Sequence, residues 1–360
     1  MSQACFACTT PYQVMGAVGI VSAGKMKADL ILFGMFEGYE ALASRIRETG
    51  LFAAVAAVPP DKYKSPGRLG AFGQMARAGE IAREILPGDG KYEVFYSSSR
   101  AHIKNVLLHD LIRKNPELKI VVYDDGMGTY DGQSHVLNTT SLRAKAEKLM
   151  GWDLYGPERI SFLVYEPALF TIPERYRGRP VAQMPKPGDS PETMDLLRQV
   201  FPVREEDQIR EKVIIFDPLR GLEKEREKKF PVIDACYREV VEAFGQENVV
   251  IKPHPRSTEK PEAEAKIYAG TGIPMEILYA GMEDLEERVL VTYASTAVYT
   301  PKMMFGKEPR VIALFRIADG KTGSEWEPQF IKFRQMYTDR ERMAAPGSGE
   351  ALRELLGRAI

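Results

Sequence analysis

The chain reads as an α/β protein built from two Rossmann-like halves, and three observations predict it. Short apolar runs alternate with longer amphipathic ones in both halves of the sequence, as expected of βα units. The short runs are apolar at successive positions rather than alternate ones, the pattern of parallel strands buried on both faces. Each conspicuous polar cluster falls where an apolar run ends, which is where parallel sheets gather their ligand-binding loops.

In order, "ACFACTT" is strand one, and Thr10-Pro11 supplies an N-cap and a proline at the first helical position. The helix that follows carries Val14, Val18 and Val21 on its apolar positions. "ADLILFGM" and "LFAAVAAV" are the second and third strands, and "YEVFYSSS" is the fourth. A helix from about His102 to Lys114 leads to "LKIVVYDDG", the fifth strand, and "RISFLVYEP" is the sixth. Between Ile172 and Glu211 the periodicity fades, and "RYRGRPVAQMPKPGDSPE" is rich in proline, glycine and charge. This is the linker candidate, and it sets the expected domains at 1–185 and 186–360. The alternation then restarts with strand "KVIIFDPL", helix "PVIDACYREVVEAF" and strand "NVVIKPHP". A helix from Ala263 to Tyr268, strand "RVLVTYAS", helix "TAVYTPKMMF" and strand "PRVIALF" complete the second half. Two such halves are expected to face each other across a cleft. The charge run Gly221 to Lys229, "GLEKEREKK", reads as a solvated helix or loop.

Composition narrows the class of function. The chain has 360 residues, 44% hydrophobic and 28% charged, an ordinary globular balance with room for two domains. Lys+Arg 49 against Asp+Glu 50 gives a formal charge of -1, so no global basic field attracts nucleic acid or anionic lipid. Any anionic ligand must be met by a local site. Cys5, Cys8 and Cys236 are too few, and odd in number, for a disulfide framework. The Cys5–Cys8 spacing lies inside an apolar run without a second Cys or His pair, so buried reduced thiols are expected. No basic leader or run of bilayer-spanning length is read in the sequence, and the expected location is cytoplasmic.

The polar clusters carry the chemistry. They are Thr9-Thr10-Pro11-Tyr12-Gln13, Ser97-Ser98-Ser99-Arg100, Asp124-Asp125-Gly126, Asp217-Pro218, Lys252-Pro253-His254-Pro255-Arg256 and Ser295-Thr296. Singly, each has a plain explanation as a helix cap or turn. His254, one of 4 histidines, lies between two prolines with Lys252 and Arg256 close by. The prolines restrict the backbone and so fix where the imidazole points, which suits an acid directed at a phosphate. Ser295-Thr296 opens the next expected helix, where hydroxyls and N–H groups favour an anion; alone, Ser295 would be an N-cap. Asp124 and Asp125 point to opposite faces if strand geometry persists to them. One then caps or orients while the other meets ligand as a general base. Mg²⁺ binding and a plain Asp-Gly turn remain open for the pair.

Taken in order, "TTPYQ", "DDGMGTY", "KPHPR" and Ser295-Thr296 resemble the bacterial sialyltransferases, with glycosyltransferase family 52, the lipooligosaccharide sialyltransferase family, as the nearest pattern. The resemblance implies a two-domain GT-B architecture in which the C-terminal domain holds the nucleotide of CMP-sialic acid. It implies that His254 acts as acid on the CMP phosphate and that Ser295 and Thr296 contact that phosphate, beside Lys252, Pro255 and Arg256. Asp124 or Asp125 would be the base, with Asp217 in reserve. Thr10, Tyr12, Gln13 and Arg100 would line the acceptor side. The family's hydroxyl pair is often Ser-Ser, so Ser295-Thr296 is a departure that bears on the donor. One phosphate leaves in such a transfer, and no metal or other cofactor is expected beyond the donor substrate. An acceptor glycan of lipooligosaccharide or capsule type follows, with room for peripheral attachment to the cytoplasmic face of the inner membrane and for a homodimer. Rival readings are a UDP-sugar donor on the same fold, a UDP-sugar 2-epimerase-like isomerase, and a nucleotide-sensing protein without turnover.

Overall fold

A computed structural model describes residues 3–63, 73–88, 90–98, 101–130, 154–221, 227–270, 272–320 and 326–359. The fold is α/β, with two parallel sheets in two compact units, Met1–Pro202 and Val203–Ile360.

The first unit holds a seven-stranded sheet made of β1 (Ala4–Cys8), β2 (Ala28–Phe33), β3 (Ala54–Val58), β4 (Val94–Tyr96), β5 (Lys119–Tyr123), β6 (Ile160–Val164) and β7 (Val181–Gln183). Its order is β3-β2-β1-β4-β5-β6-β7, with each neighbouring pair parallel. The order reverses between β1 and β4, which makes a crevice at the carboxyl ends of those strands. β1 and β2 are buried at every position, as their unbroken apolar runs require. The helix Pro11–Gly24 starts where the sequence places it: Thr10 Oγ1 accepts from Gln13 N at 3.2 Å and Pro11 takes the first turn. Residues 13–22 of that helix are buried on all sides, so its apolar face is not a stripe but the whole surface.

The stretch from Ile172 to Glu211 is not the bare linker expected of it. It adds β7 to the sheet edge beside β6 and forms the helix Pro191–Val200, capped by Ser190 Oγ accepting from Thr193 N. Met194, Leu197 and Val200 of that helix are buried. The three-residue edge strand is too short to show a period, and proline and glycine flank it, so composition hid both elements. The helix belongs to the first unit, and the division therefore lies at 202/203 rather than 185/186.

The second unit holds a six-stranded parallel sheet of order β10-β9-β8-β11-β12-β13. Its strands are β8 (Val213–Phe216), β9 (Val249–Lys252), β10 (Lys266–Ile267), β11 (Val289–Thr292), β12 (Arg310–Ala313) and β13 (Met343–Ala344). Here the order reverses between β8 and β11. The helix expected from Ala263 to Tyr268 is absent. Lys266 and Ile267 instead pair with Val250 and Ile251, and Tyr268 N donates to Ile251 O at 2.8 Å. The "TAVYTPKMMF" helix divides into a turn, Thr296–Val298, and a helix, Thr300–Phe305, with Pro301 in the first turn of the latter. Cys5, Cys8 and Cys236 are buried and unbridged. Among the described residues, no helix is long and apolar enough to cross a membrane.

Candidate functional site

In the first unit the polar side chains expected at the carboxyl edge do converge. Asp124 follows β5 and is fully buried. Its Oδ1 accepts from Gly126 N at 2.8 Å and from Tyr12 OH at 3.4 Å. Its Oδ2 accepts from Tyr130 OH at 2.5 Å and Tyr165 N at 3.3 Å. The return of Gly126 N to the aspartate needs the left-handed backbone that glycine supplies, at φ 92. Burial pushes the Asp124 carboxyl up to about 6, with the hydrogen bonds from Tyr130, Gly126, Tyr165 and Tyr12 holding it back. Four donors thus occupy its two oxygens.

Asp125, the next residue, is half-buried. Its N–H donates to Thr129 Oγ1 at 3.0 Å, and its Oδ2 accepts from Gln13 Nε2 at 2.9 Å. Gln13, itself buried, turns its Oε1 to Thr9 N at 2.8 Å and Thr9 Oγ1 at 3.0 Å. Burial pushes Asp125 up to about 7; the Gln13 hydrogen bond and the Lys104 charge draw it down, and the Asp124 charge adds to the rise. A carboxylate of that strength is suited to accept a proton near neutrality. The pair thus divides into an acid filled by four donors and one whose carboxylate accepts from Gln13. Of the side chains expected to line the acceptor side, Thr10 is a helix cap, Tyr12 braces Asp124 and Gln13 braces Asp125. Arg100 lies outside the described residues.

Lys104 was not legible as a site residue. It sits in the first turn of the helix His102–Lys114, without exposed surface. Burial draws its ammonium down to about 8, against the pull of Cys8 and Asp125. The one signal in sequence was a lysine among the apolar residues of "HIKNVLL".

In the second unit, Asp217 ends β8 as expected but is committed to a buried ion triad. Arg220 donates from Nε and Nη2 to the two oxygens of Asp217 at 2.8 and 2.9 Å, and from Nη1 and Nη2 to Asp234 at 3.0 and 2.7 Å. The guanidinium also stacks over Phe230, 4.5 Å from the ring centre. Such an acid anchors a loop and is poorly placed to serve as a base. The loop it anchors touches the His254 turn: Arg220 N donates to Ser257 Oγ at 3.0 Å, and Thr258 N donates to Arg220 O at 3.2 Å.

His254 is half-buried after β9, and its Nδ1 accepts from Arg256 N at 3.2 Å. In the neutral ring the proton therefore rides on Nε2. Pro255 and Arg256 are exposed beside it. Lys252 lies 5.4 Å from the centre of the Tyr268 ring, and burial draws its ammonium down. Ser295 caps the turn Thr296–Val298, its Oγ accepting from Ala297 N at 3.3 Å, while its N–H donates to Thr292 Oγ1 at 2.8 Å. Thr296 follows at the half-buried start of that turn.

A second cluster here escaped the sequence reading. Lys229 Nζ donates to Tyr293 OH at 2.9 Å and to Asp319 Oδ1 at 2.6 Å, and Tyr293 OH donates to the same carboxylate oxygen at 2.8 Å. The last residue of the "solvated" charge run is thus fixed to Tyr293, just after β11, and to Asp319, at the end of the helix Phe315–Asp319; residues 222–226 of that run lie outside the described residues. Among the described residues, no group of three or more His, Cys, Asp or Glu could hold a metal ion.

No family model and no curated protein matches the chain. Among solved structures, it is similar to the spinosyn rhamnosyltransferase SpnG complexed with thymidine diphosphate, at 10% identity and a TM-score of 0.44, covering 100% of this chain and 90% of that one. It is similar to MnaA of S. aureus in a co-structure with UDP, at 10% identity and a TM-score of 0.47, covering 99% and 87%. It is also similar to LpCGTa in complex with UDP, at 9% identity and a TM-score of 0.49, covering 99% and 89%. Likeness at this level says nothing about which ligand this chain takes.

Proposed function

We propose that the chain is an inverting glycosyltransferase of GT-B type that moves a sugar from a nucleotide donor to a hydroxyl of an acceptor glycan. The observation that carries this reading is the division of the Asp124-Asp125 pair. Asp124 is saturated by four donors, while Asp125 is half-buried, accepts from Gln13 and has a proton affinity suited to a base. In the proposed reaction the acceptor oxygen forms a bond to the anomeric carbon and its proton passes to Asp125. The bond from that carbon to the donor phosphate oxygen breaks, and the electron pair leaves with the phosphate. His254 Nε2–H, Ser295 and Thr296 are proposed to meet the departing phosphate, with Lys252 and Arg256 adding positive charge. Attack opposite the leaving group inverts the anomeric centre, as base and acid on opposite faces do in inverting glycoside hydrolysis.

The order of the motifs supports CMP-sialic acid as donor. A UDP-sugar is the second reading, favoured by one observation: Lys252 ends β9, and Arg256 and Lys229 stand on the segments that follow β9 and β8, more positive charge than a single phosphate requires. The test is incubation of the chain with CMP-sialic acid or with UDP-sugars, each with a glycan panel, in EDTA and in Mg²⁺. Acceptor-dependent release of CMP in EDTA is the expected result. Release of UDP instead would move the donor to the second reading, and no nucleotide release with any donor would overturn the proposal.

A further inference from the structure

The turn that carries His254 is tied on both sides to the segment from Asp217 to Arg220. Where β8 and β9 finish, Asp217 N donates to Lys252 O at 3.0 Å. Beyond the imidazole, Ser257 Oγ accepts from Arg220 N at 3.0 Å and donates to Pro218 O at 3.4 Å, and Thr258 N donates to Arg220 O at 3.2 Å. Between these ties the chain closes on itself: Ser257 N donates to His254 O at 2.9 Å, and Arg256 N donates to His254 Nδ1 at 3.2 Å. Pro255 takes the second position of that turn, where its fixed φ is favoured. Gly221 marks how closely the two segments run. Its φ of 81 suits glycine, and a Cβ there would collide with Thr258 Oγ1.

The ties at Asp217 and Thr258 run from backbone to backbone, and most residues could make them. The tie at Ser257 is made by a side chain, which spends its proton and a lone pair on the neighbouring loop. That loop is itself fixed, because Arg220 is buried and its guanidinium donates four hydrogen bonds to Asp217 and Asp234. We infer that Ser257 is a positioning residue for His254: its hydroxyl couples the turn bearing the imidazole to the loop that the ion triad anchors, and so holds Nε2 in one direction. The inference rests on the reading of His254 as the acid on the leaving phosphate, and it adds the group that keeps that acid in place.

The test is long-range nitrogen-15 NMR of the histidine-labelled chain, with His254 assigned by the signals lost in His254→Gln. With the neutral ring in the parent, Nδ1 is expected at the shift of an unprotonated acceptor and Nε2 at that of a protonated donor. In Ser257→Ala the two shifts are expected to converge as the second tautomer becomes populated. In Ser257→Thr, which keeps the hydroxyl, they are expected to stay at the parent values. A misplacement of about 1 Å can cost about 10²-fold in rate, so kcat of Ser257→Ala is expected to fall toward that figure while KM for the donor is retained. Should Ser257→Ala not fold, Ser257→Cys, whose thiol bonds only weakly, takes its place. Parent shifts in Ser257→Ala, shifts in Ser257→Thr as large as in the alanine variant, or an unchanged kcat overturns the inference. The nitrogen shifts require no turnover, so a parent chain that transfers no sugar would sink the proposed function, while converged shifts in Ser257→Ala would still show that Ser257 positions the ring.

Discussion

Gln13 Nε2 donates to Asp125 Oδ2 at 2.9 Å while the Gln13 Oε1 accepts from Thr9. The hydrogen bond ties the first turn of the helix after β1 to the acid after β5, across the end of β4, which lies between them. The Asp125 side chain is thereby held by the Thr9–Gln13 segment as well as by its own loop.

Replacing Gln13 by leucine removes that brace and the amide oxygen that accepts from the buried Thr9 N–H. Losing the acceptor of a buried donor costs about 1–3 kcal/mol, so the unfolding free energy read by urea denaturation should fall by that amount. The Asp125 titration should rise, since the Gln13 hydrogen bond lowers it. A variant of parent stability would mean that water replaces the amide at no cost.

Asp124→Asn is expected to damage the fold rather than the chemistry. Tyrosine hydroxyls can turn to accept from an amide, but the N–H groups of Gly126 and Tyr165 cannot. Whichever way the amide sits, one backbone donor then faces another, at about 1–3 kcal/mol. Chemical denaturation with transfer rates normalised to folded protein checks this. Parent stability with lost transfer would reverse the roles assigned to the two acids.

The acid pair also fixes a sign in the pH dependence of stability. Asp124 at about 6 and Asp125 at about 7 lie above the ordinary 3.8, so between those limits the folded chain holds protons that the unfolded chain has released. By linkage their contribution to stability is fully present below about 4 and is lost as pH rises through about 7. Lys104, drawn down to about 8 from 10.5, acts oppositely above pH 8. The double variant Lys104→Met/Asp125→Asn removes two of these groups and should gain stability relative to the parent between pH 5 and 7. A difference that is flat with pH would contradict the proton affinities assigned here.

Much of this organisation was legible because the signals were long or stereochemically strict. The strands β1, β2, β5, β8 and β11 announce themselves as unbroken apolar runs, and Thr10-Pro11 marks a helix start by capping chemistry. The failures have a common cause. β7 and β10 have three and two residues at sheet edges, too few for any period, and Pro and Gly around β7 masked both that strand and the helix after Ser190. At the site, Asp124 and Asp125 were identifiable as a pair, but their roles depend on Tyr12, Tyr130, Tyr165 and Gln13, which reach them from distant segments. Lys104, Lys229, Arg220 and Asp319 were missed for the same reason: a charged residue's partner is a matter of topology, which local pattern does not encode.

Asp217 was the reserve base, and the ion triad makes a different expectation of it. Removing one member of a buried ion pair costs about 3–5 kcal/mol because the remaining charge is left unpaired. Arg220→Met should therefore unfold at much lower denaturant, with both Asp217 and Asp234 stranded. Asp217→Asn should lose stability while its folded fraction still turns over. Loss of turnover at unchanged stability would return Asp217 to the list of bases.

The measurement that bears most directly on the account is sugar transfer by Asp125→Asn, read beside donor binding by calorimetry in EDTA. Loss of a general base lowers the rate by about 10²–10⁴-fold. The account predicts a fall of that order with donor affinity retained and folding intact, because the proposed nucleotide contacts lie in the other unit. Transfer by Asp125→Asn at the parent rate would contradict it.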